Sequence, residues 1–272
     1  MASTANILSL KGDQLKSGKI GITILPTIEA CMLDMAASMI TEIEANNNQN
    51  KPTLLIVPVG PVLFYPYFIK SVNQKQLSLK NVTFLNMDEY MLTSTELIPY
   101  SHKLSFRRFM DENCYNKISP NLIMPKSQRI FPTPENANQI EQLILDHGSV
   151  DACYGGIGIN GHVAFNEPPE EAPISEEEYL NLSVRVQKIS RETKVVNAIS
   201  DLGGAYENIP DYCVTLGYKQ ILASRKIRLY CFRNWHHAAI RKAAFGEKTV
   251  NFPVSLLQSH ENTLITIPQE LA

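Results

Sequence analysis

VDACYGGIGINGHVAFNEP, residues 150–168, decides how the chain is read. Residues 150–154 form a short apolar run of strand type. Gly156, Gly158 and Gly161 follow at once. Behind them the polar side chains of Asn160, His162, Asn166 and Glu167 alternate with apolar Val163, Ala164 and Phe165. A strand that empties into a glycine-rich polar loop is what a ligand-binding strand exit looks like in an α/β protein. Outward from this stretch the alternation recurs. Residues 19–25, 53–59, 82–86, 227–232 and 262–267 read as further strands. Helices are expected from Thr27, a capping residue, to about residue 45, then over residues 63–73 with an interruption at Pro66, and over residues 101–111, 135–147 and 236–245. The acidic, Pro-containing residues 170–178 read as a surface loop or short helix. Strand–helix alternation of this kind predicts a mainly parallel sheet with helices on both faces. If the strands are neighbours, four exits converge on one crevice: Gly60, residues 86–90, residues 155–166 and residues 233–237.

Bulk properties agree with one α/β unit spanning residues 1–272, and they exclude several function classes. Hydrophobic residues make up 44% and charged residues 19%, enough for a sizeable core. The net charge is −2 and no basic block occurs, which argues against nucleic acid as a partner. No apolar run approaches the roughly 18 residues of a membrane span, and MASTANILSLKGDQLKSGKI lacks the charged-then-apolar order of a signal peptide. The expectation is a cytoplasmic protein away from membranes. The five cysteines are scattered, without a CxxC pair, and read as buried free thiols. No cluster has metal-ligand spacing, so neither a metal nor another cofactor is expected.

Gly156, Gly158 and Gly161 satisfy G-x-G-x-x-G, but that pattern alone is weakly specific. A dinucleotide site needs a helix to begin inside the motif, so that the pyrophosphate meets the helix N-terminus. Here Pro168 and Pro169 stop any helix within two turns, and no acidic strand end follows at the spacing a ribose contact requires. The other reading is that the glycines let backbone pass close to a small ligand while His162 and Glu167 face it. A carboxylate near an imidazole fixes its tautomer and raises its basicity. From spacing alone, a loop whose His and Glu merely satisfy backbone groups is an equal alternative.

The strings NMDEY (residues 86–90) and GIGINGHVAFNEP (residues 156–168) together resemble the signature segments of the glucosamine-6-phosphate deaminase (isomerase) family. Weaker similarity runs through SRETKVVN, DYCVTLGYKQIL and AAFG followed by VNFPVSLLQSH, covering roughly residues 53–260. The resemblance implies a modified Rossmann-like, three-layer α/β sandwich. It also implies that Asp88 is the base moving a proton between C2 and C1 of an open-chain amino sugar. His162 would then be the ring-opening histidine, and Glu167 the carboxylate that orients it. Gly60, Pro61 and Val62, with Gly158, Gly161, Glu89, His236 and Arg233, are the implied substrate contacts. Packing of the strand exit is the ordinary reading of Glu89 and Tyr90.

The chain departs from the family at several of these positions. Asn160 stands where the family carries an Asp beside the histidine; an amide hydrogen-bonds but does not ionise. The phosphate loop reads Gly60-Pro61-Val62-Leu63, without a hydroxyl and with one backbone N–H removed by Pro61. Ile199 takes the place of an implied Arg, and His236 that of an implied Lys. Arg233, His236, Lys194 and Arg241 are the candidates for replacement charge. Arg185 aligns with an allosteric-site Arg of regulated members but reads as a solvated surface residue. The expected function is that of an amino-sugar phosphate isomerase/deaminase acting on glucosamine-6-phosphate or galactosamine-6-phosphate. A sugar-binding regulator on the same fold is the alternative. A lactonase-type relative is disfavoured by the MDEY and AFNEP strings. A homo-oligomer and a monomer are both compatible with the sequence.

Overall fold

All five residues of the segment Thr53–Val57 are buried, which requires a strand covered on both faces. The computed structural model describes residues 4–170 and 173–272, so Glu171 and Ala172 of the acidic stretch lie outside the described residues. In chain order the described residues form α1 (Thr4–Leu8), β1 (Gly21–Leu25), α2 (Ile28–Asn48), β2 (Thr53–Val57), α3 (Tyr65–Lys75), β3 (Val82–Asn86) and β4 (Asp88–Met91). Then follow α4 (Phe106–Asn113), β5 (Arg129–Ile130), α5 (Ala137–His147), β6 (Ala152–Gly155), α6 (Glu176–Leu180), β7 (Arg185–Lys188) and α7 (Arg191–Asp201). The last elements are β8 (Tyr212–Thr215), α8 (Tyr218–Leu222), β9 (Ile227–Tyr230), α9 (His236–Phe245) and β10 (Thr263–Pro268), with short 3-10 turns between several of them.

Seven strands make one parallel sheet in the order β1-β10-β9-β6-β2-β3-β5. Alternation along β2 splits its side chains between two cores. Leu55 and Val57 pack with buried residues of α2 and α3, among them Met35, Met39 and Phe68. Leu54 and Ile56 pack with α5, α8 and α9 through Ile140, Ile221 and Ala243. Each fully buried side chain of this size contributes roughly 1.5–3 kcal/mol. The helix–sheet–helix layering expected from the sequence is therefore present. All five cysteines are buried and free. Among the described residues no helix is long and apolar enough to cross a membrane.

Several local expectations hold closely. Thr27 caps α2 by accepting from the Ala30 N–H. Pro66, expected to interrupt α3, instead sits in its first turn. The missing N–H costs nothing there and the fixed φ suits the helix. The helix expected over residues 101–111 begins only at Phe106, where Ser105 caps it.

The larger difference is a second, antiparallel sheet, β4-β8-β7, which the sequence reading did not anticipate. Asp88, read as a residue just past a strand end, begins its edge strand. The turn from β8 into α8 passes so tightly against residues 182–183 that a Cβ on Gly217 would lie 1.8 Å from the Leu182 carbonyl oxygen. Gly217→Ala is predicted to cost about 1–3 kcal/mol through this overlap. Calorimetry should record it as a fall of several degrees in Tm.

Candidate active site

Along the parallel sheet the chain reverses direction between β2 and β6. From β2 it proceeds outward through β3 to β5, and from β6 the other way through β9 to β10. Such a switch point leaves a crevice beyond the carboxyl ends of the strands. A cavity of about 360 Å³ lies there, at the small end of the range for small-molecule sites. Its walls are the exits of four contiguous strands: residues 58–63 after β2, Met87, Asp88 and Tyr90 after β3, residues 156–159 with His162, Ala164 and Phe165 after β6, and Phe232, Arg233, Trp235 and His236 after β9. Thr193, Val196, Asn197 and Asp201 of α7 complete it.

Asp88 is 8% exposed, and among the described residues its carboxylate has no hydrogen-bond partner. Burial, with a smaller contribution from the neighbouring charge of Glu89, pushes its pKa up to about 8. A carboxyl group that titrates near neutral pH is suited to taking and returning a proton.

His162 lies across Gly158, whose missing Cβ would otherwise be 2.0 Å from the ring. The imidazole Nδ1 is 2.8 Å from Asn160 Oδ1 and 3.3 Å from both Glu167 Oε2 and Thr193 Oγ1. Asn160 donates from Nδ2 to Glu167 Oε2 and, at 3.0 Å, to Ser190 Oγ. Its Oδ1 is thereby turned to the ring and can only accept. In the neutral ring the proton then sits on Nδ1 and Nε2 is the acceptor. Burial alone would raise the Glu167 pKa. The facing His162 ring and hydrogen bonds from His162, Asn160 and Thr193 outweigh that and hold it at about 2. Glu167 is thus an ionised anchor, and Asn160 stands between it and the histidine.

The backbone that carries this relay is clamped. Ala164 has φ 55°, a left-handed conformation costing roughly 1–2 kcal/mol for a residue with a Cβ. Phe165 N–H donates to Thr215 Oγ1 at 3.1 Å, Asn166 donates to the Val163 and Leu216 carbonyls at 2.9 Å each, and the Tyr179 hydroxyl reaches the carbonyls of Asn166 and Glu167.

The remaining expected residues divide. Gly60, Pro61, Val62, Gly158, His236 and Arg233 border the cavity. Gly161 does not; its φ of 85° turns the loop beneath Phe252, with which a Cβ would collide. Glu89 does not either. Alternation along β4 sends Asp88 and Tyr90 to the cavity and Glu89 to the opposite side, where its buried carboxylate accepts from the N–H groups of Tyr90, Phe106 and Arg107, from Ser105 Oγ and from Arg107 Nε. It anchors the start of α4 and touches no ligand space.

His236 has both ring nitrogens engaged. Nδ1 accepts from the Arg233 N–H at 2.9 Å, so Nε2 carries the proton and donates to the Ile157 carbonyl at 2.9 Å. Burial first, then the nearby Arg233, keeps it neutral with a pKa lowered to about 4. Of the other replacement cations, Lys194 pairs with Asp211 at 2.5 Å, and Arg241 is fully buried, donating to the carbonyls of Leu10, His237, Leu271 and Ala272. Neither lines the cavity. Arg185 is not a solvated surface residue: it is partly buried and donates to Asn166 Oδ1 at 2.8 Å. Sequence reasoning missed Ser190, Thr193, Asn197 and Asp201, because α7 had not been recognised. Ser190 at its N-cap, followed by Thr193 one turn on, was the available signal.

No protein-family model matches the chain. Among curated proteins it is similar to the glucosamine-6-phosphate deaminase of Aliivibrio fischeri, 28% identical over 227 residues that cover 81% of this chain and 79% of the relative. It is likewise similar to that of a Marinomonas species, 28% identical over 257 residues covering 92% and 90%. Among solved structures, a monomeric glucosamine-6-phosphate deaminase of the NagB superfamily superposes with a TM-score of 0.77 at 24% identity, covering 92% of this chain and 98% of that one. A 6-phosphogluconolactonase from Thermotoga maritima gives 0.64 at 13% identity, covering 91% and 98%. The structural likenesses establish the fold. The sequence similarity along most of both chains makes this chain a divergent relative of the glucosamine-6-phosphate deaminases it matches.

Proposed function

We propose that the chain isomerises an amino sugar from aldose to ketose and releases the amine as ammonia. The observation that carries this reading is that Asp88, a buried carboxylate with no hydrogen-bond partner among the described residues, and His162, whose Nδ1 faces Asn160 Oδ1, border the same cavity. His162 moves the proton that opens the sugar ring. Asp88 then removes the hydrogen from C2 and returns it to C1 while the amine gives up a proton and O1 takes one up, so that the aldehyde carbon becomes a CH2OH group and C2 an imine. Water adds to that imine, and ammonia leaves with the ketose. The proton-transfer steps need one group that cycles near neutral pH and one that is held in a fixed tautomer. The geometry around Asp88 and His162 supports both. Glucosamine-6-phosphate, which gives the curated relatives their name, and galactosamine-6-phosphate are the reference substrates, tested beside the corresponding free hexosamines.

Ammonia and ketose release from at least one of these sugars is the expected result. Absence of turnover of all of them by folded protein sinks the proposal, and sugar binding without turnover returns the chain to the regulator reading. His162→Ala and Asp88→Asn are each expected to lower kcat by at least about 100-fold.

Asp88→Asn has a second signature, in stability. Below about pH 4 the carboxyl is protonated in folded and unfolded chains alike. Between there and about pH 8 only the folded chain keeps the proton. Stability therefore falls as pH rises through this window. Asp88→Asn removes that loss, roughly a few kcal/mol at full extent. Calorimetry is expected to show a higher Tm than the parent at pH 9 and a gain that shrinks toward pH 4. A gain independent of pH would contradict the raised pKa.

A further inference from the structure

Among the described residues two tyrosines border the cavity, and they differ in the fate of the hydroxyl proton. Tyr230 donates its proton to Asp34 Oδ2 at 2.8 Å. The Tyr90 hydroxyl instead accepts from Asn197 Nδ2 at 2.8 Å, and among the described residues its own proton has no acceptor. Burial first, then the field of Asp201, pushes the Tyr90 pKa up. The phenol therefore keeps its proton and stays a donor at any ordinary pH. Alternation along β4 places Tyr90 on the same side as Asp88. Its ring is fixed by Phe106 and Phe165, with centroids 5.1 and 5.5 Å away, and the residue is only 1% exposed. A phenol donor held this far from bulk water is costly to leave unpaired.

Asn197 is the other half of the arrangement. Thr193 and Asn197, one turn apart on α7, both border the cavity. Thr193 is engaged, with Oγ1 3.1 Å from Ser190 Oγ and 3.3 Å from His162 Nδ1. Asn197 gives an amide hydrogen to Tyr90, and among the described residues its Oδ1 has no donor. The pair thus keeps one donor, the Tyr90 O–H, beside one acceptor, Asn197 Oδ1. Exchanging the amide nitrogen and oxygen reverses the bond between the two residues and still leaves one donor and one acceptor. An anion would use only the donor, and an ammonium only the acceptor. An alcohol hydroxyl donates and accepts at once and so uses both.

We propose that Tyr90 and Asn197 bind a secondary hydroxyl of the sugar, at C3 or C4, and thereby keep C2 within reach of Asp88. This rests on the amino-sugar isomerase reading for the class of ligand. In that reading C1, C2 and the ring oxygen are the atoms on which Asp88 and His162 act, so the hydroxyls at C3 and C4 remain for recognition. The test is made by binding, apart from turnover. The probes are 2-amino-2-deoxyglucitol and its 6-phosphate, open-chain analogues with no carbonyl to react, and the counterparts of each that lack the C3 or the C4 hydroxyl. They are titrated calorimetrically into the intact chain. In the parent, removing one of the two hydroxyls is expected to weaken binding at least about fivefold, because the buried phenol donor is left unpaired. Tyr90→Phe keeps the ring and its packing. There the same removal is expected to change affinity by less than about twofold, and Asn197→Ala is expected to at least about halve the parent's ratio. Equal binding of complete and deoxy analogues by the parent, an unchanged ratio in either variant, or no binding of any analogue overturns the inference. A lower Tm with the ratio intact makes the Tyr90–Asn197 bond a packing contact between β4 and α7, which overturns it as well. Ammonia release from the amino sugars decides the other question. Hydroxyl discrimination through Tyr90 without ammonia fails the isomerase and leaves the hydroxyl site standing. Ammonia release without that discrimination does the reverse.

Discussion

One residue, Met87, ties the two sheets together. The Met87 N–H donates to the Val57 carbonyl at the end of β2, and the Met87 carbonyl accepts from the Leu216 N–H beyond β8. The Met87 side chain lies over Gly155, where a Cβ would be 2.8 Å from its Cε. Because Met87 is bonded on both sides, the next residue has no freedom left. Asp88 enters the small sheet opposite Thr215, facing the cavity. The base candidate is thus placed by backbone hydrogen bonds of the sheets, and among the described residues its own side chain has no hydrogen-bond partner.

The same division of labour runs through the site. Residues around the cavity are held by side chains whose hydrogen bonds go to other parts of the protein. Glu89 spends its carboxylate on the Tyr90 N–H, the start of α4 and Arg107. Glu167 is fixed at low pKa by its neighbours and in turn orients Asn160. His236 closes the loop between Ile157 and Arg233. Such supports give a site precision at the level of the groups that move protons. They also use up donors and charges that the sequence would have assigned to a ligand.

Much of this was legible in the residues. The continuous apolar runs of β2, β3 and β9 announced buried parallel strands, and their exits did converge. Asp88, His162 and Glu167 were identified by resemblance to a family; spacing alone left the loop ambiguous. What stayed hidden has physical causes. β7 (RVQK) and β8 (YCVT) are four residues long and carry no clean alternation, so the second sheet gave no periodic signal. Without that sheet, Asp88 and Glu89 could not be sent to opposite faces, although any two successive strand residues point that way. The neutrality of His236 and the internal use of Arg241 depend on partners far off in the chain, which no local pattern encodes.

The amide of Asn160 has one more consequence. A carboxylate in its place could share or accept the imidazole proton, whereas an amide oxygen accepts a hydrogen bond but does not take up the proton at neutral pH. Glu167, 3.3 Å from Nδ1 and held near pKa 2, is too weak a base to capture it. Asn160 and Glu167 therefore hold the orientation of the ring through Nδ1 and offer no better base there. In the proposed reaction, proton transfer at His162 therefore falls to Nε2, the ring nitrogen that Asn160 does not hold.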